Sequence, residues 1–166
     1  MGDAPRLRPG VTNFFLLIFT APQNNNTFVG YADGFRRLGP KKKVPMKVQL
    51  SKDFSFEAAH RLPNVPADNK CARLHGHSFK VVITVEGEVD SHTGWFIDYA
   101  DISTVVKPLL DQFLDHRYLN EIDGLANPTS EKIAEWIWNR LNNQLTGLRR
   151  VTISETCTTA CHYEGQ

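Results

Sequence analysis

The sequence predicts an α+β domain: an antiparallel sheet with two helices packed on one face. Three observations carry that class. Two long segments, around residues 48–60 and 77–89, alternate apolar and polar residues with the period of a half-buried strand. Two later segments repeat apolar residues at helical spacing, and a last alternating segment begins at Val151. The order is therefore strand, strand, helix, helix, strand.

The first strand carries Val48, Leu50, Phe54, Phe56 and Ala58 on one parity, with Lys52 as a lapse. Lys47, Gln49, Ser51, Asp53, Ser55 and Glu57 occupy the other parity, and His60 continues the apolar one. Residues 61–74 hold Pro63, Asn64, Pro66 and Asp68, which are turn formers. The second strand runs from about His77 to Val89, and its apolar set (Phe79, Val81, Ile83, Val85) shares the parity of His75 and His77. Asp90 to Gly94 reads as a turn, followed by a short extended piece from Trp95 to Ile97. Asp98 is placed to cap a helix, with Asp101 in the capping-box slot. The stripe Ile102, Val105, Val106, Leu109, Leu110, Phe113 follows, and Pro108 predicts a kink or irregular turn within it. A second helix is expected from Asn127-Pro128, with Ile133, Ala134, Ile137, Trp138, Leu141 and Leu145 on one face and Gly147 as its stop. The last strand places Val151, Ile153, Glu155 and Cys157 on one parity.

Composition bounds the function. A net charge of +1 with 22% charged residues gives no basic nucleic-acid surface. No run approaches the roughly 20 apolar residues of a membrane helix. Three cysteines make no disulfide framework and fit reduced thiols in a cytoplasmic protein. The chain changes character near residue 46. Before it come Asn24-Asn25-Asn26, Lys41-Lys42-Lys43, five prolines and one short apolar run, Phe14 to Phe19. That run falls short of a secretory core of about 7–15 residues. Residues 1–45 are thus expected to be an irregular or non-native extension, and 46–166, starting at Met46, the domain that carries the chemistry.

That chemistry centres on three histidines. His75 and His77, at i and i+2 on a strand, share a face. His60 ends the preceding strand on its buried parity, so a hairpin-like return would bring the three imidazoles together. A His-x-His pair alone is a weak signal, and the third histidine strengthens it. Three nitrogen ligands without a fourth protein ligand form the pattern of a catalytic zinc with an open position. A buried, unpaired imidazole cluster costs free energy that a bound cation removes.

Other residues join this centre. Cys71 sits in the intervening loop, with three residues between it and His75. Glu155 is a carboxylate on a buried parity; either it escapes to solvent at a sheet end or it awaits a ligand with paired N–H donors. Asp115-His116 is an ordinary helix-end pair unless it falls in a bend, where the carboxylate can fix the imidazole tautomer. With Cys71 it forms a candidate relay. Cys157 reads as a core thiol, Cys161 is undecided, and His92 reads as solvated. Arg61, Lys70 and Arg73 read as surface charge that would also suit a polyphosphate tail.

Assembled, these residues resemble the 6-pyruvoyltetrahydropterin synthase superfamily, and within it the 6-carboxy-5,6,7,8-tetrahydropterin synthase branch of queuosine biosynthesis. The matching text is Phe54-Ser-Phe-Glu-Ala-Ala-His60-Arg-Leu-Pro63, Cys71-Ala-Arg-Leu-His75-Gly-His77 and Gly94-Trp95-Phe96-Ile97-Asp98. It continues with Leu114-Asp115-His116, Asn127-Pro128-Thr129-Ser130-Glu131 and Glu155-Thr156-Cys157. The spacing of Cys71 from His75 matches the carboxy branch. The resemblance implies a tunnel-type α+β fold whose sheets join into barrels, as a homohexamer of two trimers with active sites between subunits. It implies zinc on His60, His75 and His77, a relay of Cys71, Asp115 and His116, and a pterin anchor at Glu155 assisted by Thr129 and Ser130. The implied reaction converts 7,8-dihydroneopterin triphosphate to 6-carboxy-5,6,7,8-tetrahydropterin, releasing acetaldehyde and triphosphate. The alternatives are a synthase that eliminates triphosphate only, and a zinc-stabilised binding module without catalysis. Neither nucleic acid nor membrane is an expected partner.

Overall fold

The computed structural model describes residues 18–20, 27–31, 34–37 and 44–165. The chain divides into two compact units, Met1–Val44 and Pro45–Gln166. In the first, β1 (Ile18–Thr20), β2 (Thr27–Tyr31) and β3 (Gly34–Arg37) form an antiparallel sheet in that order. Three short strands thus lie within the segment expected to be an irregular or non-native extension. The strands are short and rich in β-branched and aromatic residues, too brief to show a period in sequence. The Asn24–Asn26 and Lys41–Lys43 runs and residues 14–17 of the apolar run lie outside the described residues.

In the second unit, β4 (Lys47–His60) and β5 (His75–Glu88) pair antiparallel along their whole length. Helix α1 (Tyr99–Phe113), the two-residue β6 (Arg117–Tyr118), helix α2 (Ser130–Leu141), β7 (Leu148–Ser154) and β8 (Cys161–Tyr163) follow. The sheet order is β6-β4-β5-β7-β8. All pairs are antiparallel except β4 with β6, so the sheet is mixed by that one short contact. Neither β6 nor β8 was expected; both are too short to carry a pattern.

One sheet face is the core. Phe56, Ala58, Phe79, Val81, Ile83, Val85, Val151 and Ile153 are buried there against Ile102, Val106 and Leu110 of α1 and Ile133, Ile137 and Leu141 of α2. Both helices therefore cover the same face, as the alternation required. Lys52, the lapse in that alternation, directs its ammonium to the Tyr99 carbonyl at 2.9 Å, at the start of α1. The opposite face is polar: buried Thr84 is satisfied by Ser51 and buried Thr152 by His162.

Asp98 caps α1 by accepting from the Ala100 N–H at 2.8 Å. Helix α1 continues as helix through Pro108, so the proline does not end it. A proline within a helix costs about 3 kcal/mol, whereas burying Ile102, Val106 and Leu110 contributes about 1.5–3 kcal/mol each. Packing wins. Helix α2 starts two residues later than Pro128, with Thr129 as its cap. Strand β7 stops at Ser154, so Glu155 and Cys157 lie beyond it, and Cys157 is exposed instead of forming a core thiol. Pairing ends because Lys80↔Ser154 is the last rung with β5, after which residues 155–160 turn the chain back into β8. No helix among the described residues is long and apolar enough to cross a membrane.

Candidate active site

The β4–β5 register builds the histidine cluster. His60 lies directly across from His75, and Ala58 across from His77, so the three imidazoles share the core-side face. Their ring centroids are 4.5, 5.0 and 5.2 Å apart. Each offers one ligand atom, and these atoms all lie within 4.8 Å of one another. Gly76, between the two β5 histidines, faces the neighbouring strand closely: a Cβ there would meet the Ala58 carbonyl oxygen at 3.2 Å.

Two backbone carbonyls set the ring orientations. His60 Nδ1 lies 2.9 Å from the Pro128 oxygen, and His75 Nδ1 lies 2.8 Å from the Arg73 oxygen. A carbonyl only accepts, so each Nδ1 donates, and Nε2 is the ring atom left to ligate. His60 Nε2 and His77 Nε2 are buried without a hydrogen-bond partner. Burial pushes the His60 imidazole below its ordinary value, outweighing the opposite pull of the Pro128 carbonyl and the Glu155 carboxylate. The neutral form is the ligating form. Orphaned, convergent nitrogens fit a cation that takes imidazole, with a coordination position left over.

Asp115 and His116 fall in the bend after α1, the one setting in which adjacent residues can bond side chain to side chain. His116 has a positive φ of 56°, an uncommon backbone for a non-glycine residue. Main-chain bonds hold it there: His116 N–H donates to the Glu57 carbonyl at 2.6 Å. The Asp115 carboxylate accepts from the Glu57 N–H at 2.9 Å and lies 2.9 Å from His116 Nδ1. The Glu57 N–H and then His116 hold the Asp115 carboxyl below the usual carboxylate range. The imidazole itself is 78% exposed. His116 and His77 both line an open cleft of about 590 Å³ over the ends of β4, β5 and β6, together with Glu57 and Ser78.

Glu155 is half-buried and accepts from Ser130 Oγ at 2.9 Å, which joins two of the expected anchor residues. Thr129 uses its hydroxyl on the helix, accepting from Lys132 N–H at 3.3 Å and bonding Glu131, whose carboxyl it holds low. Cys71 lies in a short 3₁₀ helix, Lys70–Ala72, half-buried, with its N–H on Asn69 Oδ1. Its carbonyl accepts from Leu62 N–H at 2.8 Å, which folds the loop back against the end of β4. Cys71 is not in the ligand cluster, and among the described residues it has no hydrogen bond to Asp115 or His116. Arg61, Lys70, Arg73 and His92 are exposed. The sequence reading missed the Pro128 and Arg73 carbonyls and the Glu57 main chain. No signal could have found them, because every residue type presents the same backbone groups.

The family profile described as 6-pyruvoyl tetrahydropterin synthase matches residues 49–166. The chain belongs to this family. Every candidate site residue lies inside the matched span. A family relative from Synechocystis, 6-carboxy-5,6,7,8-tetrahydropterin synthase, is 44% identical over 119 residues, covering 69% of this chain and 91% of that protein. The human 6-pyruvoyl tetrahydrobiopterin synthase is 33% identical over 135 residues, 72% of this chain and 93% of that one. The solved structure of the Caenorhabditis elegans 6-pyruvoyl tetrahydropterin synthase superposes with a TM-score of 0.66 at 30% identity, covering 75% of this chain and 100% of that one.

Proposed function

We propose that this chain is a zinc-dependent lyase that converts 7,8-dihydroneopterin triphosphate and water to 6-carboxy-5,6,7,8-tetrahydropterin, acetaldehyde and triphosphate, in queuosine biosynthesis. The observation that carries the reading is the meeting of three imidazoles, two with orphaned buried Nε2 atoms, with the Glu155 carboxylate close enough to act on His60. The spacing of Cys71 from His75 and the 44% likeness to the cyanobacterial relative support the carboxy-forming reaction.

His60, His75 and His77 would hold the zinc, which supplies Lewis-acid polarisation of substrate oxygens. Glu155, steadied by Ser130, accepts the paired N–H edge of the pterin and so fixes where its side chain lies. Thr129 assists from the same helix start. Cys71 as thiolate moves protons at the side-chain carbons. His116 is the partner acid or base, held in one tautomer by Asp115.

The active unit is a homohexamer of two trimers, with sites shared between subunits and sheets closed into a barrel. Two features support this. Among the described residues, Lys47–Glu57 of β4 pair only with β5, leaving a long edge for another chain. His116 is exposed, and among the described residues no hydrogen bond joins it to Cys71, which suits a relay completed by a second copy. The domain beginning at Met46 carries all of this chemistry, and three free thiols suit the cytoplasm.

The test is incubation of zinc-loaded protein with 7,8-dihydroneopterin triphosphate, measuring acetaldehyde and the pterin product. Both appear with the parent and both vanish in Cys71→Ala, which keeps its zinc. Triphosphate release without acetaldehyde means the pyruvoyl-type reaction of the human relative. Zinc binding with no turnover means a binding module.

A further inference from the structure

We infer that Asn120, through its side-chain amide, is a positioning residue for the metal ligand His60. The inference rests on the reading that the three histidines hold a divalent cation. Asn120 lies in a short 3₁₀ helix, Leu119–Glu121, directly after β6. Strand β6 pairs with the end of β4 at Ala58↔Arg117 and Ala59↔Tyr118, and there the main-chain ladder stops, one residue short of His60. The Asn120 amide takes over. Its Oδ1 accepts from the Arg61 N–H at 2.9 Å, and its Nδ2 donates to the Arg61 carbonyl at 2.9 Å.

A side-chain amide carries the donor and acceptor of a peptide unit, so it can stand in for the next rung of the ladder. His60 is therefore bracketed, with the Ala59↔Tyr118 pair on one side and the Asn120–Arg61 pair on the other. The second Nδ2 hydrogen goes to the Ala126 carbonyl at 3.1 Å. Two residues on, the Pro128 carbonyl takes the Nδ1 of His60. One amide thus ties together both chain segments that orient His60: the backbone that bears it and the loop that fixes its tautomer. The amide orientation is unambiguous, since the reverse would set an oxygen against two carbonyls. Leu119, fully buried, holds the short helix in the core.

Partners that orient a ligating histidine typically change metal affinity by about 10- to 100-fold when removed. The full-length protein is stripped of metal and titrated with Zn²⁺ against a chromogenic chelator, and Co²⁺ is used for its visible spectrum. Asn120→Ala is expected to weaken zinc by about 10- to 100-fold and to alter the cobalt bands. Asn120→Asp, which keeps the acceptor for Arg61 N–H but loses both donors, supplies the same readout if the alanine variant does not fold. Ser51→Ala, which removes the Ser51–Thr84 hydrogen bond of 3.0 Å elsewhere in β4, serves as the stability control and keeps parental affinity. A folded Asn120 variant with zinc affinity within about twofold of the parent and an unchanged cobalt spectrum overturns the inference. A parent that binds neither ion overturns it together with the metal reading. The measurement is of metal affinity, so it is indifferent to which pterin product the enzyme makes.

Discussion

Replacing His77 with leucine should raise the stability of the metal-free protein and abolish its response to zinc. In the absence of a cation, His77 Nε2 is buried with no partner. An unsatisfied buried polar group costs about 1–3 kcal/mol. Leucine fills similar space, has no polar atom and keeps an apolar contact toward Phe79, whose ring centroid lies 5.4 Å from that of His77. Because His77 is only half-buried, the lower part of that range applies, about 1–2 kcal/mol gained. For a domain of this size that is a rise of roughly 4–8 °C in Tm. The parent behaves oppositely: zinc at about 100 times its Kd contributes about 2.7 kcal/mol, or roughly 10 °C, whereas the variant gains little. The two proteins therefore exchange rank between chelator and excess zinc. Calorimetry or far-ultraviolet dichroism under both conditions reads this directly. A variant less stable than the parent in chelator, and raised as much as the parent by zinc, would refute the reasoning.

Asp115→Asn should lower turnover by about 10²–10⁴-fold without changing zinc content, because it leaves His116 without its carboxylate. Asp115 itself, held low first by the Glu57 N–H and then by His116, should titrate by NMR with a midpoint below the ordinary value of about 3.9. Its contribution to stability is present above that ordinary value and is lost as pH falls through the lower folded midpoint. Glu155→Gln should weaken pterin binding by about 10- to 100-fold, the loss of one charge-assisted interaction of about 1.5–3 kcal/mol; Ser130→Ala, which only frees the carboxylate, should act chiefly on KM and by less. Thr129→Ala should cost about 1 kcal/mol in denaturant unfolding through the lost α2 cap, with Thr129→Ser restoring most of it.

Much of the catalytic domain is legible in the chain itself. Two strands with His60, His75 and His77 on their buried parity need no tertiary knowledge, because alternation in a strand reports the face directly. The same holds for the two helical stripes and for Asp98 as a cap. The limits of that reading are equally physical. The alternation through Ile153 and Glu155 continues past the point where β7 loses its partner, since side-chain pattern reports facing and not pairing. Pro108 lies inside α1, and burial of its neighbours carries the helix past it.

Which side chains carry the chemistry, and which way those on regular elements face, can thus be read from the chain alone. How they are held depends on packing between segments. The His60↔His75 register, the Pro128 and Arg73 carbonyls on the imidazoles, the bend that lets Asp115 reach His116, and the Asn120 amide beside Arg61 all arise between segments distant in the chain. Most of them use backbone groups, which every residue carries alike and which a sequence therefore cannot mark.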